Sequence, residues 1–269
     1  MKRMAIFCVN YNSYKELYHY LDSICVSAKK AKDAMKVDVF VADNSDQQPQ
    51  EITYEPHDIH LRVFPFHQNL GYFGAIREMM EKVSLLSYDY TMISNVDVLL
   101  HIDTLKVLCN YQTMENTGWI TPAIISQRNG NDLSPQAVHR YSLHKLRLLR
   151  LSFRIPVIHY IYAKTLLPHK PTKKHTQGMV YAGHGSCIIL TQEYFNRCGI
   201  INYPVFLYEE EIYLAEECRT HGLEVIYEPS IIIDDIGRIS TGKTNWRQNY
   251  RWHAEGLDYI IKKYYNLPK

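Results

Sequence analysis

Residues 206–217 read FLYEEEIYLAEE, and three adjacent glutamates, Glu209, Glu210 and Glu211, stand where an aromatic, apolar run passes into a helix. A carboxylate can act as a general base, ligate a hard cation, or cap a helix whose positive dipole end it meets. Helical rotation separates the three, because each residue turns about 100° around the axis. With Glu211 as origin, Leu207, Leu214, Ala215, Cys218 and Gly222 fall roughly within 60° of it. Glu209, Tyr213, Glu216 and Glu217 fall on the opposite, polar arc, with Glu210 at its border. Glu209 and Glu210 are therefore expected to be solvated or to cap the helix, and Glu211 to sit in the apolar stripe. A carboxylate there must be paired, bound to something, or held near neutrality by a raised pKa. Glu211 is read as a catalytic base, with a buried ion pair as the alternative.

Five further polar residues, Asn10, Asp43, Asn69, Asn95 and Asp97, stand at or just beyond the ends of β-rich runs. The runs are MAIFCV (4–9), VDVFVAD (37–43), LRVFPF (61–66) and YDYTMIS (88–94), with Pro65 marking the third as an edge strand. Helical segments separate them: one capped by Ser13 and running to about residue 30, and one opened by Asn69-Leu70-Gly71 and running to about residue 86. A third helix near 103–115 leads to GWITPAII (118–125). This alternation predicts an α/β fold with a mostly parallel central sheet flanked by helices, whose ligand crevice lies beyond the carboxyl ends of the strands. Polar ends in register there describe a pocket. No GxGxxG follows the first strand and no GxxxxGK[ST] occurs, which argues against dinucleotide and P-loop sites.

Downstream, GHGSCIIL (183–190) predicts a strand entered through a glycine turn, followed by a helix from Gln192 to about Cys198. The glutamate helix is expected over about 208–221. LEVIYEP and SIIIDD predict two short strands on either side of Pro229, and residues 244–265 a terminal helix.

The chain has 269 residues with 46% hydrophobic content, enough for a large core. Its six cysteines show no CxxC pair, which argues against a zinc site or a disulfide framework and points to a reducing cytosol. The amino-terminal apolar run is too short for a signal peptide, and no window approaches the ~20 apolar residues of a membrane span.

A net charge of +2 conceals an asymmetry. Between Asp132 and Glu193 there is no acid, yet nine bases: Arg140, Lys145, Arg147, Arg150, Arg154, Lys164, Lys170, Lys173 and Lys174. A segregated basic block points to an anionic partner. Leu143, Leu146, Leu149 and Phe153 share a helical face, a pattern that suits an anionic membrane surface; the alternative is a core helix with snorkelling bases. Nucleic acid is not expected, since no RRM, KH or zinc pattern occurs.

Together these landmarks resemble family-2 glycosyltransferases of the GT-A fold. The resemblance rests on V-N-Y-N (9–12), A-D-N-S (42–45), N-L-G-Y-F-G-A (69–75), N-V-D-V (95–98), H-G-S-C (184–187), F-L-Y-E-E-E-I-Y-L-A (206–215) and E-P-S (228–230), in the family's order. It extends to bacterial, rhamnosyltransferase-like enzymes that build surface polysaccharides. It implies that Asp43, the backbone around Val9, Asn10 and Tyr11, and groups near Asn69 and Gly71 hold a nucleotide-diphosphate sugar. Asn95-Val96-Asp97 stands for the family's Asp-X-Asp motif, so Asp97 would bind Mn²⁺ or Mg²⁺ while Asn95 meets ribose or phosphate. Glu211 occupies the aspartate and Glu210 the glutamate position of the Glu-Asp motif, giving Glu211 the role of base in an inverting transfer. His184 and Gly185 would face the acceptor, with a phosphate contact or a structural histidine as the alternatives for His184.

Three positions depart from the family, the first being Glu211 itself, which is one methylene longer than the aspartate it replaces. Asn95 removes a formal charge from the metal site, and Asp235 stands where relatives carry a ligand histidine, where it would either ligate the cation through oxygen or cap a turn. They leave open a sugar-nucleotide-binding protein without turnover. A nucleotidyltransferase on a related fold would normally show a glycine-rich basic loop after the first strand, which VNYNSYKEL lacks. The expected organisation is a GT-A-like catalytic domain over 1–243 with a basic amphipathic insert at about 139–176, and a helical extension over 244–269. The expected setting is peripheral, on the cytoplasmic face of the plasma membrane, with a lipid-linked saccharide as acceptor.

Overall fold

The computed structural model describes residues 1–47, 49–155, 175–237 and 245–265. Among these residues, nine strands form one sheet in the order β3-β2-β1-β4-β8-β6-β9-β5, with β7 added on β9. β1 (Lys2–Asn10), β2 (Met35–Asp43), β3 (His60–Pro65) and β4 (Tyr90–Ser94) are mutually parallel, as the alternating pattern predicts. β3 is at the edge, where Pro65 costs no ladder hydrogen bond. Beyond β4 the sheet turns mixed. β8 (Cys187–Thr191) runs antiparallel to both β4 and β6 (Thr117–Ser126), and β6 is parallel to β9 (Glu224–Asp235). Two short antiparallel strands, β5 (Val98–Leu100) and β7 (Gly178–Val180), pair with β9. Six strands therefore share one direction and three oppose it.

The period-two runs of β1 bury both faces, as a central parallel strand must. Met4, Ile6 and Cys8 pack under α1 (Tyr14–Ala31) and α3 (Thr104–Asn110), while Ala5 and Phe7 face α2 (Tyr72–Met80). The second face also carries α4 (Leu143–Arg154), α5 (Gln192–Cys198), α6 (Glu210–Thr220), α7 (Trp246–Ile260) and a closing turn at Ile261–Tyr265.

Several elements differ from expectation. α2 and α3 stop at Met80 and Asn110, earlier than predicted. Ser13 precedes α1, but its hydroxyl donates to the Tyr11 carbonyl and caps no helical N–H. Pro229 does not divide two strands: β9 runs through it, and the register against β6 jumps between Pro122 and Ala123, leaving Pro229, Ser230 and Ile231 as a bulge. Glu228 Oε1 closes that bulge by accepting the Ser230 N–H at 3.0 Å and its hydroxyl at 2.6 Å.

α7 packs along α4, and the terminal turn reaches α6 through Lys263 and Tyr264, which both donate to Glu217. Arg150 donates to Asp258 at 2.9 Å and Arg154 pairs with the same carboxylate. The C-terminal segment is thus built onto the second face of the sheet. No helix among the described residues is long and apolar enough to cross a membrane.

Candidate active site

The carboxyl ends of β1, β2 and β4 lie on one edge of the sheet, in the register Asn10↔Asp43 and Cys8↔Ser94. Asn10 is fully buried and knits that edge together. Its Nδ2 donates to Asp43 Oδ1 at 3.0 Å and to Ser45 Oγ at 3.2 Å, and its Oδ1 accepts the Ser13 N–H at 3.2 Å. Asp43 is itself 1% exposed, and its Oδ2 accepts the Tyr14 hydroxyl at 3.0 Å. Val9 and Tyr11 flank this node and are partly exposed.

Three buried oxygens around the same edge have no hydrogen-bond partner among the described residues: Asn12 Oδ1, Asn44 Oδ1 and the Tyr72 hydroxyl. Buried polar atoms are rarely left so. Sequence reasoning missed Asn44 and Tyr72, although both sit inside the quoted A-D-N-S and N-L-G-Y-F-G-A motifs.

Asn69 Oδ1 accepts the Gly71 N–H at 3.2 Å, turning the chain into α2. Gly71 has φ +75°, and a Cβ there would stand 2.3 Å from the Phe206 carbonyl oxygen. Only glycine fits this approach, in which the Tyr72 N–H donates to that same carbonyl at 3.2 Å. Gly71 therefore docks α2 on the segment leading into the glutamates.

Beyond β4, the Asn95 N–H donates to the Ser186 carbonyl at 3.0 Å, which fastens the Asn95-Val96-Asp97 turn to the loop 184–186. Asp97 is 8% exposed. Its carbonyl accepts the Ile236 N–H at 3.2 Å, and its neighbour Val98 pairs with Asp235. Asp235 Oδ1 accepts the Gly237 N–H at 2.7 Å. Asp97 and Asp235 thus stand on adjoining strand ends. No group of three or more His, Cys, Asp or Glu residues among the described residues is arranged to hold a metal. Two carboxylates nonetheless fit a hard divalent cation that takes its remaining ligands from phosphate and water.

The glutamates enter α6 through a turn in which Tyr208 and Glu209 both have positive φ, +76° and +66°. Glu211 Oε1 accepts the Gly185 N–H at 3.2 Å. A Cβ on residue 185 would lie 2.4 Å from that oxygen, so glycine leaves the room the carboxylate occupies. His184 Nδ1 accepts the Ser186 N–H at 3.3 Å and lies 2.9 Å from its hydroxyl, which leaves the proton of the neutral ring on Nε2. Burial pushes the Glu211 carboxyl above its ordinary range, with the neighbouring His184 and the Gly185 N–H opposing the shift. Glu210 is pushed up to about 8, by burial first and then by the Glu211 charge. Its Oε1 accepts the Tyr208 N–H at 2.9 Å.

Glu210 therefore neither solvates nor borders a polar arc; it is buried at the site. The polar arc itself is also overturned. Tyr213, Glu216 and Glu217 are buried beneath the C-terminal segment. Glu216 accepts both guanidinium nitrogens of Arg140, at 2.7 and 3.0 Å, together with Tyr181 and Arg219. Burial pushes its carboxyl up, but these donors outweigh burial and hold it below the usual range. Glu217 takes Lys263 at 2.8 Å and the Tyr264 hydroxyl.

The basic block is likewise redistributed. Leu143, Leu146, Leu149 and Phe153, expected to face a membrane, pack against the core instead. The exposed face of α4 carries Leu148, Leu151 and Ile155 with Arg147 and Lys145. Lys164, Lys170, Lys173 and Lys174 lie outside the described residues.

A family model described as glycosyltransferase like family 2 matches residues 2–254. The low-salt glycan biosynthesis hexosyltransferase Agl10 of Haloferax volcanii is 22% identical over 254 residues, covering 94% of this chain and 72% of that protein. The mannosyltransferase PcManGT from Pyrobaculum calidifontis, solved in complex with GDP-Man and Mn²⁺, superposes with a TM-score of 0.60 at 14% identity. That match takes in 99% of this chain and 65% of the mannosyltransferase. TarS 1–349 of S. aureus, solved with UDP-GlcNAc, gives 0.60 at 12% identity, over 100% of this chain and 68% of TarS 1–349. These structures share the fold of a mostly parallel sheet between helices.

Proposed function

The chain belongs to glycosyltransferase-like family 2, and we propose that it moves a hexosyl group, with inversion, from a nucleoside-diphosphate sugar to a hydroxyl of a saccharide acceptor. The observation that carries this reading is the placement of Glu211. Its carboxylate is fixed on the Gly185 amide, one residue from the carbonyl that receives the Asn95 N–H. A base and a donor-binding turn therefore share one short loop.

In the proposed reaction Glu211 takes the acceptor hydroxyl proton as the oxygen attacks the anomeric carbon from the face opposite the leaving group. The new glycosidic C–O bond forms while the bond to the diphosphate breaks, and the departing oxygen keeps the electron pair. Glu210, protonated over much of the neutral range, keeps a second charge away from Glu211. His184 presents its Nε2 proton for the acceptor. The Asn10–Asp43 node, Asn12, Asn44, Asn69, the α2 turn at Gly71 and Tyr72 form the wall for the nucleotide. Asp97 and Asp235 are the groups that would hold Mn²⁺ or Mg²⁺, which supplies charge neutralisation to the departing diphosphate when bound.

The finer reading places the enzyme on the cytoplasmic face of a membrane with a lipid-linked acceptor, in surface polysaccharide synthesis. Support comes from α4, whose outer face combines Leu148, Leu151 and Ile155 with cationic neighbours and no acid. A second reading, a sugar-nucleotide-binding protein without turnover, draws on Asn95 and Asp235. A thermal-shift screen of UDP-, GDP- and dTDP-hexoses with and without Mn²⁺ tests donor binding, because a ligand of the folded state raises the melting temperature. One nucleotide class should raise it with Mn²⁺; no shift with any of them contradicts the reading.

A further inference from the structure

The C-terminal helix reaches the glutamate turn through one imidazole. His253 of α7 donates from Nδ1 to Glu209 Oε1 at 2.8 Å. Its ring lies between two others: Phe153 of α4, with centroids 4.2 Å apart and planes at 5°, and Tyr208, at 3.9 Å and 15°. Tyr208 and Glu209 are the residues with φ of +76° and +66°. That conformation is unfavourable for non-glycine residues, so it persists only where neighbours hold it.

The neighbours are supplied from several directions. The Tyr208 carbonyl accepts the Tyr203 hydroxyl at 2.9 Å. One residue before His253, Trp252 stacks on Phe206 at 4.6 Å, and the Phe206 carbonyl is the acceptor for the Tyr72 N–H. α7 comes so close that a Cβ on Gly256 would lie 2.9 Å from Glu209 Cγ. The turn it grips leads directly into Glu210 and Glu211.

We infer that His253 is a positioning residue: by holding the left-handed Tyr208–Glu209 turn, it sets where Glu211 stands against Gly185. This rests on the reading of Glu211 as the base. The Glu209 carboxylate that His253 holds at 2.8 Å is also one of the charges that act on Glu210 and Glu211. The titratable groups around those carboxylates are Glu209 on the turn, His184 on the opposing loop, Tyr72 on α2 and Tyr203 on the preceding segment.

The test compares His253→Phe, which keeps a ring in the stack but removes the donor, with Glu209→Gln. Two readouts apply to the full chain: hydrogen exchange of the 206–212 backbone, and the pH profile of kcat for nucleoside-diphosphate release from the hexose panel with Mn²⁺. In His253→Phe, exchange of 206–212 should quicken about tenfold while that of β1 stays unchanged. Its kcat should fall about tenfold or more with donor KM nearly constant. Its acid limb should move to higher pH, because the Glu209 carboxylate loses the Nδ1 donor that holds it at 2.8 Å. In Glu209→Gln the acid limb should move to lower pH. A purely structural role would give no such opposed shifts. Wild-type exchange over 206–212 in His253→Phe, or a wild-type kcat and acid limb, overturns the inference. Full turnover by Glu211→Gln would instead overturn the reading beneath it.

Discussion

Glu211 Oε1 and the Gly185 amide nitrogen stand 3.2 Å apart across 26 residues of chain, and that hydrogen bond joins the amino end of α6 to the sheet edge. The room for it exists because residue 185 has no Cβ. Glycine here acts through absence of bulk, and the consequence is chemical: it decides where a carboxylate stands.

Gly185→Ala should therefore displace the carboxylate more than it harms the fold. The added methyl would meet Glu211 Oε1 at 2.4 Å and Cδ at 2.9 Å, the mobile end of a side chain. A shift of that size should lower kcat about 10- to 100-fold. Donor binding, read as the ligand-induced rise in melting temperature, should stay near wild type.

The pH dependence follows from the two raised carboxyls. As the proposed base, Glu211 would have to be unprotonated, so kcat should rise with pH, with a midpoint above the ordinary value of 4.5. Glu210 leaves a separate mark on stability. Between its unfolded value near 4.5 and its folded value of about 8, the native state holds a proton that the unfolded chain has lost. Stability attributable to Glu210 is full below 4.5 and is lost as pH rises through 8. The melting temperature of wild type should thus fall by a few degrees relative to Glu210→Gln across that window.

Cation dependence should track Asp97. Chelation with EDTA, or Asp97→Asn, should remove the Mn²⁺-dependent part of the donor-induced thermal shift. Asp235→Asn should reduce it as well. A wild-type shift in Asp97→Asn would move the cation elsewhere.

The outer face of α4 makes a prediction of its own. Wild type should sediment with vesicles containing phosphatidylglycerol and release them as salt rises. Leu148→Glu with Leu151→Glu should weaken that binding at least about tenfold, since each buried leucine contributes roughly 1.5–3 kcal/mol. Binding is measured by cosedimentation against neutral vesicles.

Much of this architecture was legible in the chain, and the rest was hidden for definable reasons. The parallel strands ending at Asn10, Asp43 and Ser94 announce themselves by long apolar runs closed by polar turns. β5, three residues long, carries no periodic signal, because its pairing with β9 is decided by distant chain. Pro229 signals a break, but a bulge absorbs it. The helical wheel of α6 placed Glu216 on a solvated arc because it could not show Arg140, 76 residues away, or the terminal segment that covers it. α4 was correctly amphipathic, yet its apolar stripe faces the core, since α7 supplies a partner no local pattern reveals. Glu209 and His253, 44 residues apart, were invisible as a pair for the same reason.

The central claim is that Glu211 removes the acceptor proton, and the most direct measurement is transfer by Glu211→Gln, with donor binding followed in the same preparation. The nucleotide sugar that stabilises wild type with Mn²⁺ should stabilise the variant equally. Its turnover should fall about 10²- to 10⁴-fold, the range a general base contributes. A variant that binds the donor and still turns over at the wild-type rate would contradict the account.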